Sequence, residues 1–165
     1  MTTTNEPNPN LQCHDWMMIG GTNHYARDRS AFTTYKPVQG PPVEVGGLKV
    51  VGVGRVELQV PPSPNDPRTN TLVLENVLHE PNAICNGISM WILNVAWNAF
   101  TEQVYGTVTR EPVWYGQRYC RLWRLVLAGQ SELRGVSNLR DGALYMLSVY
   151  ASLEELDVLA RRLEK

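Results

Sequence analysis

The clearest pattern in the chain is a period of two. In "VEVGGLKVVGVGRVELQV" (Val43 to Val60), Val43 and Val45 flank Glu44, and alternation resumes from Val50 to Val60. Period two places alternate side chains on opposite faces of a strand, and the Gly46-Gly47 pair suits a primed hairpin turn between two such runs. Glycines at 46, 47, 52 and 54 predict a pliant hairpin whose backbone can approach a ligand closely. Further strands are predicted from Leu11 to Ile19, ended by "GGTN", in "TLVLENVLHEP" up to Pro81, and in "RLWRLVLAG" (Arg121 to Gly129) and "ALYMLSVYA" (Ala143 to Ala151). "PPSPNDPRTN" (Pro61 to Asn70) is a loop, because proline cannot donate to a ladder. Gly87 to Phe100 is apolar almost throughout, and its periodicity fits a buried helix and a pair of strands equally well.

The period changes only at the end. Ser152 followed by Glu155 is a capping box, and Leu153, Leu156, Leu159 or Ala160, and Leu163 recur at helical spacing. Many short strands and one terminal helix predict an all-β, closed or nearly closed barrel. With 165 residues the chain suits one domain over residues 11–165, preceded by a disordered leader, "MTTTNEPNPN", over 1–10.

Composition narrows the function classes. A net charge of −1, with basic residues scattered among acids, gives no electrostatic drive toward nucleic acid or an anionic membrane. No apolar run reaches the ~20 residues of a membrane-spanning helix. Arg outnumbers Lys twelve to three, which points to structural or interfacial pairing. Cys13, Cys85 and Cys120 are odd in number and widely spaced, as expected of reduced thiols in the cytoplasm. Cys13, His14 and His24, or His79 and Cys85, lack the spacing of a zinc motif, and the glycines of the hairpin precede no Gly-Lys-Ser/Thr. No metal and no cofactor are predicted.

The stretch "WMMIGGTNHYARDRSAF" (Trp16 to Phe32) resembles the start of the retropepsin-like aspartic protease domain of copia-type retrotransposon polyproteins, in its fungal form. There a Trp leads a strand into Asp-Ser/Thr-Gly-Ala, followed by a His and an Asp-x-x-x-Phe segment, matched here by Trp16, Gly20, His24, Asp28 and Phe32. "LENVLHEP" is similar to a later phrase of that family through Leu74, Asn76, Val77, Leu78, His79 and Pro81. The resemblance, spread over Leu11 to Tyr150, implies a retropepsin-like closed barrel with a flap hairpin, extra C-terminal strands and a homodimeric cleft. The catalytic acid is missing. Aligned on His24 it falls at Met18, and aligned on Trp16 at Ile19. An aspartic peptidase needs two carboxylates sharing a proton, and neither a thioether nor a butyl group can act as a base.

The turn is therefore expected to form the apolar floor of a cleft rather than a peptidase site. Trp16, Met18, Ile19, Gly20 and Gly21, with Gly46, Gly47, Val50 and Gly52 of the hairpin, are the expected binding residues. His24, Tyr25, Asp28 and Thr22 lie just past the turn and are the candidate groups for proton transfer or carbonyl polarisation. His24 and His79 each have a structural reading that competes with the catalytic one. The expected function is a repurposed, non-proteolytic pocket that binds a hydrophobic small molecule and promotes its cyclisation or isomerisation without a nucleophile. The alternative is a pseudoprotease that binds peptides or proteins by strand addition. A decayed fragment is disfavoured by the intact strand patterns and capping box.

Overall fold

The structure is a computed structural model that describes residues 12–129 and 137–163. The expected leader over 1–10 lies outside the described residues. Twelve strands are formed among them. The first half of the chain contributes β1 (Trp16–Ile19), β2 (Tyr25–Ala26), β3 (Phe32–Pro37), β4 (Val43–Val45), β5 (Leu48–Val50) and β6 (Gly52–Val60). The long β7 (Asn70–His79) is followed by β8 (Asn86–Ser89), β9 (Val95–Asn98), β10 (Gln103–Gly106), β11 (Pro112–Tyr119) and β12 (Leu122–Leu125). The single helix, α1, spans Leu153–Arg162. The result is an all-β, barrel-like fold with one short C-terminal helix. No described helix is long and apolar enough to cross a membrane.

Ten strands form one sheet in the order β3-β6-β7-β2-β8-β1-β12-β11-β10-β9, and β4 and β5 form a separate hairpin. Most pairings are antiparallel, but β1 runs parallel to β8, with Trp16 opposite Asn86 and Ile19 opposite Ser89, and β2 runs parallel to β7. β1 is thus an inner strand, covered on both edges. It is also covered on both faces. Met17 and Ile19 join one apolar cluster with Tyr25, Val45, Val50 and Leu78, whereas Trp16 and Met18 join a second with Val56, Leu74, Ile88 and Trp114. Burial on both faces explains why "WMMI" is continuously apolar rather than alternating.

The Gly46-Gly47 turn has φ of +56° and +89°, the left-handed pair that a primed hairpin demands. This hairpin does not stand free. Val43, Val45 and Val50 are buried and α1 packs along β4, so the predicted pliant flap is a clasped one. Gly87 to Phe100 resolves into β8, a short 3-10 turn and β9, which settles the ambiguity of its periodicity in favour of strands.

Two sequence expectations are corrected. The first strand begins at Trp16, since Gln12 to Asp15 is irregular and the backbone N–H of Cys13 is taken by Asp28 Oδ2 at 2.7 Å. Ala143 to Ala151 is extended but is not a strand, because its only ladder contact is an isolated parallel bridge between Val149 and Gly21. Its other backbone partners are a turn and side chains, which no period-two pattern reveals.

The capping box forms as expected. Ser152 Oγ accepts from the N–H of Glu155 at 3.0 Å, and Glu155 Oε1 accepts from the N–H of Ser152 at 2.9 Å. Of the apolar stripe, Leu159 is buried and Leu156 partly so, but Leu153 stands in solvent at the first helical position. Arg162 Nε donates to Gln39 O at 2.7 Å, tying the last turn to the segment before β4. Replacing Ser152 with Ala is expected to lower stability by about 1 kcal/mol, read as a shift in the urea midpoint with an unchanged slope.

Candidate functional site

Met18 and Ile19 at the end of β1, with Gly20 just after them, form the floor of an open groove of about 510 Å³. Met18 is held from below: the Trp114 indole N–H lies 3.5 Å from its sulfur, and its methyl occupies the space that a Cβ on Gly116 would need. One wall is built by Met90, Trp91 and Trp97, and Leu122 and Trp123 continue it. The rings of Trp97 and Trp123 meet at 4.9 Å, a distance typical of favourable aromatic pairs. The opposite wall is Tyr145 to Ser148 with Tyr150, whose ring meets that of Trp91 edge-on at 5.8 Å.

The glycines of the turn have a packing reason. A Cβ on Gly20 would lie 2.5 Å from the Trp91 ring, and one on Gly21, whose φ is +95°, would lie 2.3 Å from the carbonyl oxygen of Val149. Any side chain at either position would push out a groove wall.

Among the described residues, no carboxylate and no imidazole lines the groove. Asp15, the nearest acid in sequence, is 1% exposed and faces elsewhere, where Arg124 Nη1 lies 3.0 Å from one of its oxygens and the Ser137 hydroxyl donates to the other. What the groove offers chemically is hydrophobic area, thioethers, indole N–H groups and the hydroxyls of Ser148, Tyr145 and Tyr150. That set can orient and polarise a bound molecule but holds no general base of ordinary strength.

Of the candidate polar residues past the turn, His24 and Tyr25 are buried in the barrel, Asp28 is partly buried and Thr22 is exposed in the turn, and none of them lines the groove. His24 is buried and its Nδ1 accepts from the N–H of Ser89 at 2.8 Å, which puts the proton of the neutral ring on Nε2. Burial pulls its pKa down to about 4. Tyr25 donates its hydroxyl proton to the carbonyl of Leu147 at 2.9 Å, and burial raises its pKa. Thr22 Oγ1 donates to Asn23 Oδ1 at 2.7 Å and accepts from the N–H of Ala151 at 2.8 Å. Asp28 holds the Cys13 backbone and pairs with Arg27 at 3.2 Å. Each of the four therefore binds a neighbouring segment in place. His79 behaves likewise, receiving the Tyr35 hydroxyl on Nδ1 at 2.7 Å and lying 3.1 Å from Arg27 O through Nε2.

The binding candidates divide. Met18, Ile19 and Gly20 line the groove together, and Gly21 supports its wall. Trp16 is buried in the core, Gly46 touches Val149 and Tyr150 behind the wall, Gly47 has open space around it, Val50 is buried in the hairpin, and Gly52 lies under the Tyr35 ring. The hairpin thus backs the groove rather than roofing it. Trp91, Trp97, Trp123, Tyr145 and Tyr150 escaped sequence reasoning. The abundance of Trp and Tyr over Phe was the available signal, but nothing in the order of residues said which rings converge.

With the geometry in hand, residues 16–96 match the family model described as Pol polyprotein, beta-barrel domain. The match covers just under half of the 165 residues and supports a β-barrel derived from a retroelement polyprotein. No curated protein and no solved structure matches the chain. The matched segment supplies the floor and the Met90–Trp91 part of one wall, whereas Trp97, Trp123 and the whole opposite wall lie beyond it.

The depressed pKa of His24 carries a pH signature. Because the folded value lies below the unfolded one near 6.5, the unfolded chain binds the extra proton, so the contribution is complete above pH 6.5 and is lost as pH falls toward 4. Thermal unfolding followed from pH 7 to 4 is expected to show a loss of up to about 3 kcal/mol from this residue. A His24→Gln variant should flatten that part of the profile.

Proposed function

We propose that this chain is a non-proteolytic, repurposed retropepsin-like protein of copia-type descent, whose apolar groove binds a hydrophobic small molecule. The observation that carries the reading is the composition of the groove: where the parent site would present an acid, Met18 and Ile19 lie beneath a ring of Trp, Tyr and Met side chains, with no carboxylate among the described lining residues. Concave, mostly apolar sites with a few hydroxyl and N–H groups are the usual form of small-molecule pockets. Turnover at such a site rests on holding one conformer of the ligand and polarising it through Ser148, Tyr145 or Tyr150, which suits cyclisation or isomerisation and does not suit hydrolysis. Trp91, Met146 and Tyr150 are 69%, 99% and 58% exposed at the rim, which supports the pairing of two copies over it.

A second reading, a peptide-binding pseudoprotease, is favoured by one observation. The turn at Gly20 to Thr22 already holds an extended segment of the same chain, by backbone and side-chain hydrogen bonds to 148–151.

Native mass spectrometry of the purified protein separates the readings. A co-purified organic molecule supports the groove, whereas a bound peptide supports the alternative; the same spectrum gives the oligomeric state. A direct test uses the apolar fluorophore 1-anilinonaphthalene-8-sulfonate. Trp123→Ala removes the partner of Trp97 and is expected to weaken its binding about tenfold while leaving the fold intact. Unchanged affinity would reject the groove as its site.

A further inference from the structure

The wall formed by residues 145–150 differs from the rest of the groove in how it is held. Val149 is its deepest anchor and is buried, but Met146 is 99% exposed and Leu144 88%. Among the described residues, the hydrogen bonds that hold 147–151 to the barrel come from one side, the Gly20–Thr22 turn and Tyr25 of β2 just after it. Tyr25 donates to Leu147 O at 2.9 Å, the N–H of Gly20 to Ser148 Oγ at 3.0 Å, and the N–H of Thr22 to Val149 O at 2.8 Å. The N–H of Ala151 donates to Thr22 Oγ1 at 2.8 Å. On the other side there is no ladder. The hairpin meets the segment without hydrogen bonds to it: Val45 and Val50 share an apolar cluster with Val149, and at Gly46 a Cβ would lie 2.5 Å from Val149 Cγ1 and 3.1 Å from the Tyr150 carbonyl.

One residue ties these parts together. The Glu155 carboxylate accepts the N–H of Gly46 at 3.3 Å through both oxygens, and it also accepts the N–H of Ser152 at 2.9 Å. It therefore joins the hairpin tip to the point where the extended segment enters α1.

The geometry points to residues 147–151 being a strap: a stretch of chain laid in a trough between the Gly20–Thr22 turn and the Gly46 tip, latched by Glu155, and able to lift as a unit. Its release withdraws the Tyr145 to Ser148 wall and Tyr150, and so opens the groove to a ligand too large for the closed form. This consequence rests on the groove reading above; the lifting itself does not. Low contact on one edge and exposed flanking side chains are the marks of a segment that opens below the global unfolding transition.

The test is hydrogen–deuterium exchange of the full chain, resolved by peptide, for the wild type, Glu155→Ala, Ser152→Ala and Glu154→Ala. Ser152→Ala weakens the helix cap but leaves Glu155 on Gly46, and Glu154→Ala removes a neighbouring helix charge. Glu155→Ala is expected to speed exchange of 43–50 and 145–151 about tenfold or more relative to β1, while the other two variants leave the ratio near that of the wild type. Exchange of 145–151 only together with 16–19 in every variant would show that the segment is core and overturn the strap. Stopped-flow binding of 1-anilinonaphthalene-8-sulfonate then reads the gate: faster association with Glu155→Ala supports it, and equal rates overturn it. Absence of binding in every variant would overturn the groove reading and the gating with it, while the exchange ratios still decide whether the strap lifts.

Discussion

The rest of the structure depends on the burial of β1 from four directions. Its edges pair with β8 and β12, and its two faces enter two apolar clusters, so that of Trp16 to Ile19 only the Met18–Ile19 end reaches the open groove. A charged group placed within such a strand must be paired or must stay neutral, because desolvating it costs several kcal/mol. Met18 and Ile19 meet that constraint without a partner. Met18 is fitted against Gly116 and Trp114, and Ile19 against the position that a side chain on Gly87 would fill. The site is apolar for the same reason that the strand is stable.

From that strand the Gly20-Gly21 turn projects with no side chain, and the absence of side chains decides what can settle on it. Trp91 rests over Gly20 and the carbonyl of Val149 over Gly21. Two segments far apart in sequence thus converge on one turn and become the two walls of one groove. The polar residues that follow the turn stabilise this convergence. Tyr25 and Thr22 bind residues 147–151, and His24 fixes the N–H of Ser89 at the end of β8. Their satisfied hydrogen bonds are a structural use of groups that in an open site would be available for chemistry.

The family match and the groove divide the chain at nearly the same place. Residues 16–96, the segment similar to the polyprotein beta-barrel domain, include the parallel β1–β8 pair and the β4–β5 hairpin. The later strands, the extended segment and α1 add the second wall and clasp the hairpin through β4.

Much of this was legible in the sequence, for local reasons. The hairpin at Gly46-Gly47 needed two left-handed residues, the helix at Ser152 announced its own cap, and β1 and β7 were marked by apolar runs and alternation. That Trp16 to Gly21 carries no carboxylate was equally plain, since side-chain chemistry is read directly from the sequence. Tertiary structure alone decided the rest. Ala143 to Ala151 has the pattern of a strand, yet it found a turn and side chains to bind instead of a neighbouring strand. His24, Tyr25, Asp28 and Thr22 have the chemistry of a site, yet each is committed to holding a remote segment. Trp97, Trp123 and Tyr145 look like ordinary core residues until the chain brings them around Met18. Backbone geometry and helix capping are settled within a few residues of chain, and so a sequence displays them. Which face of a strand meets which distant segment is settled by packing, and that meeting made the groove.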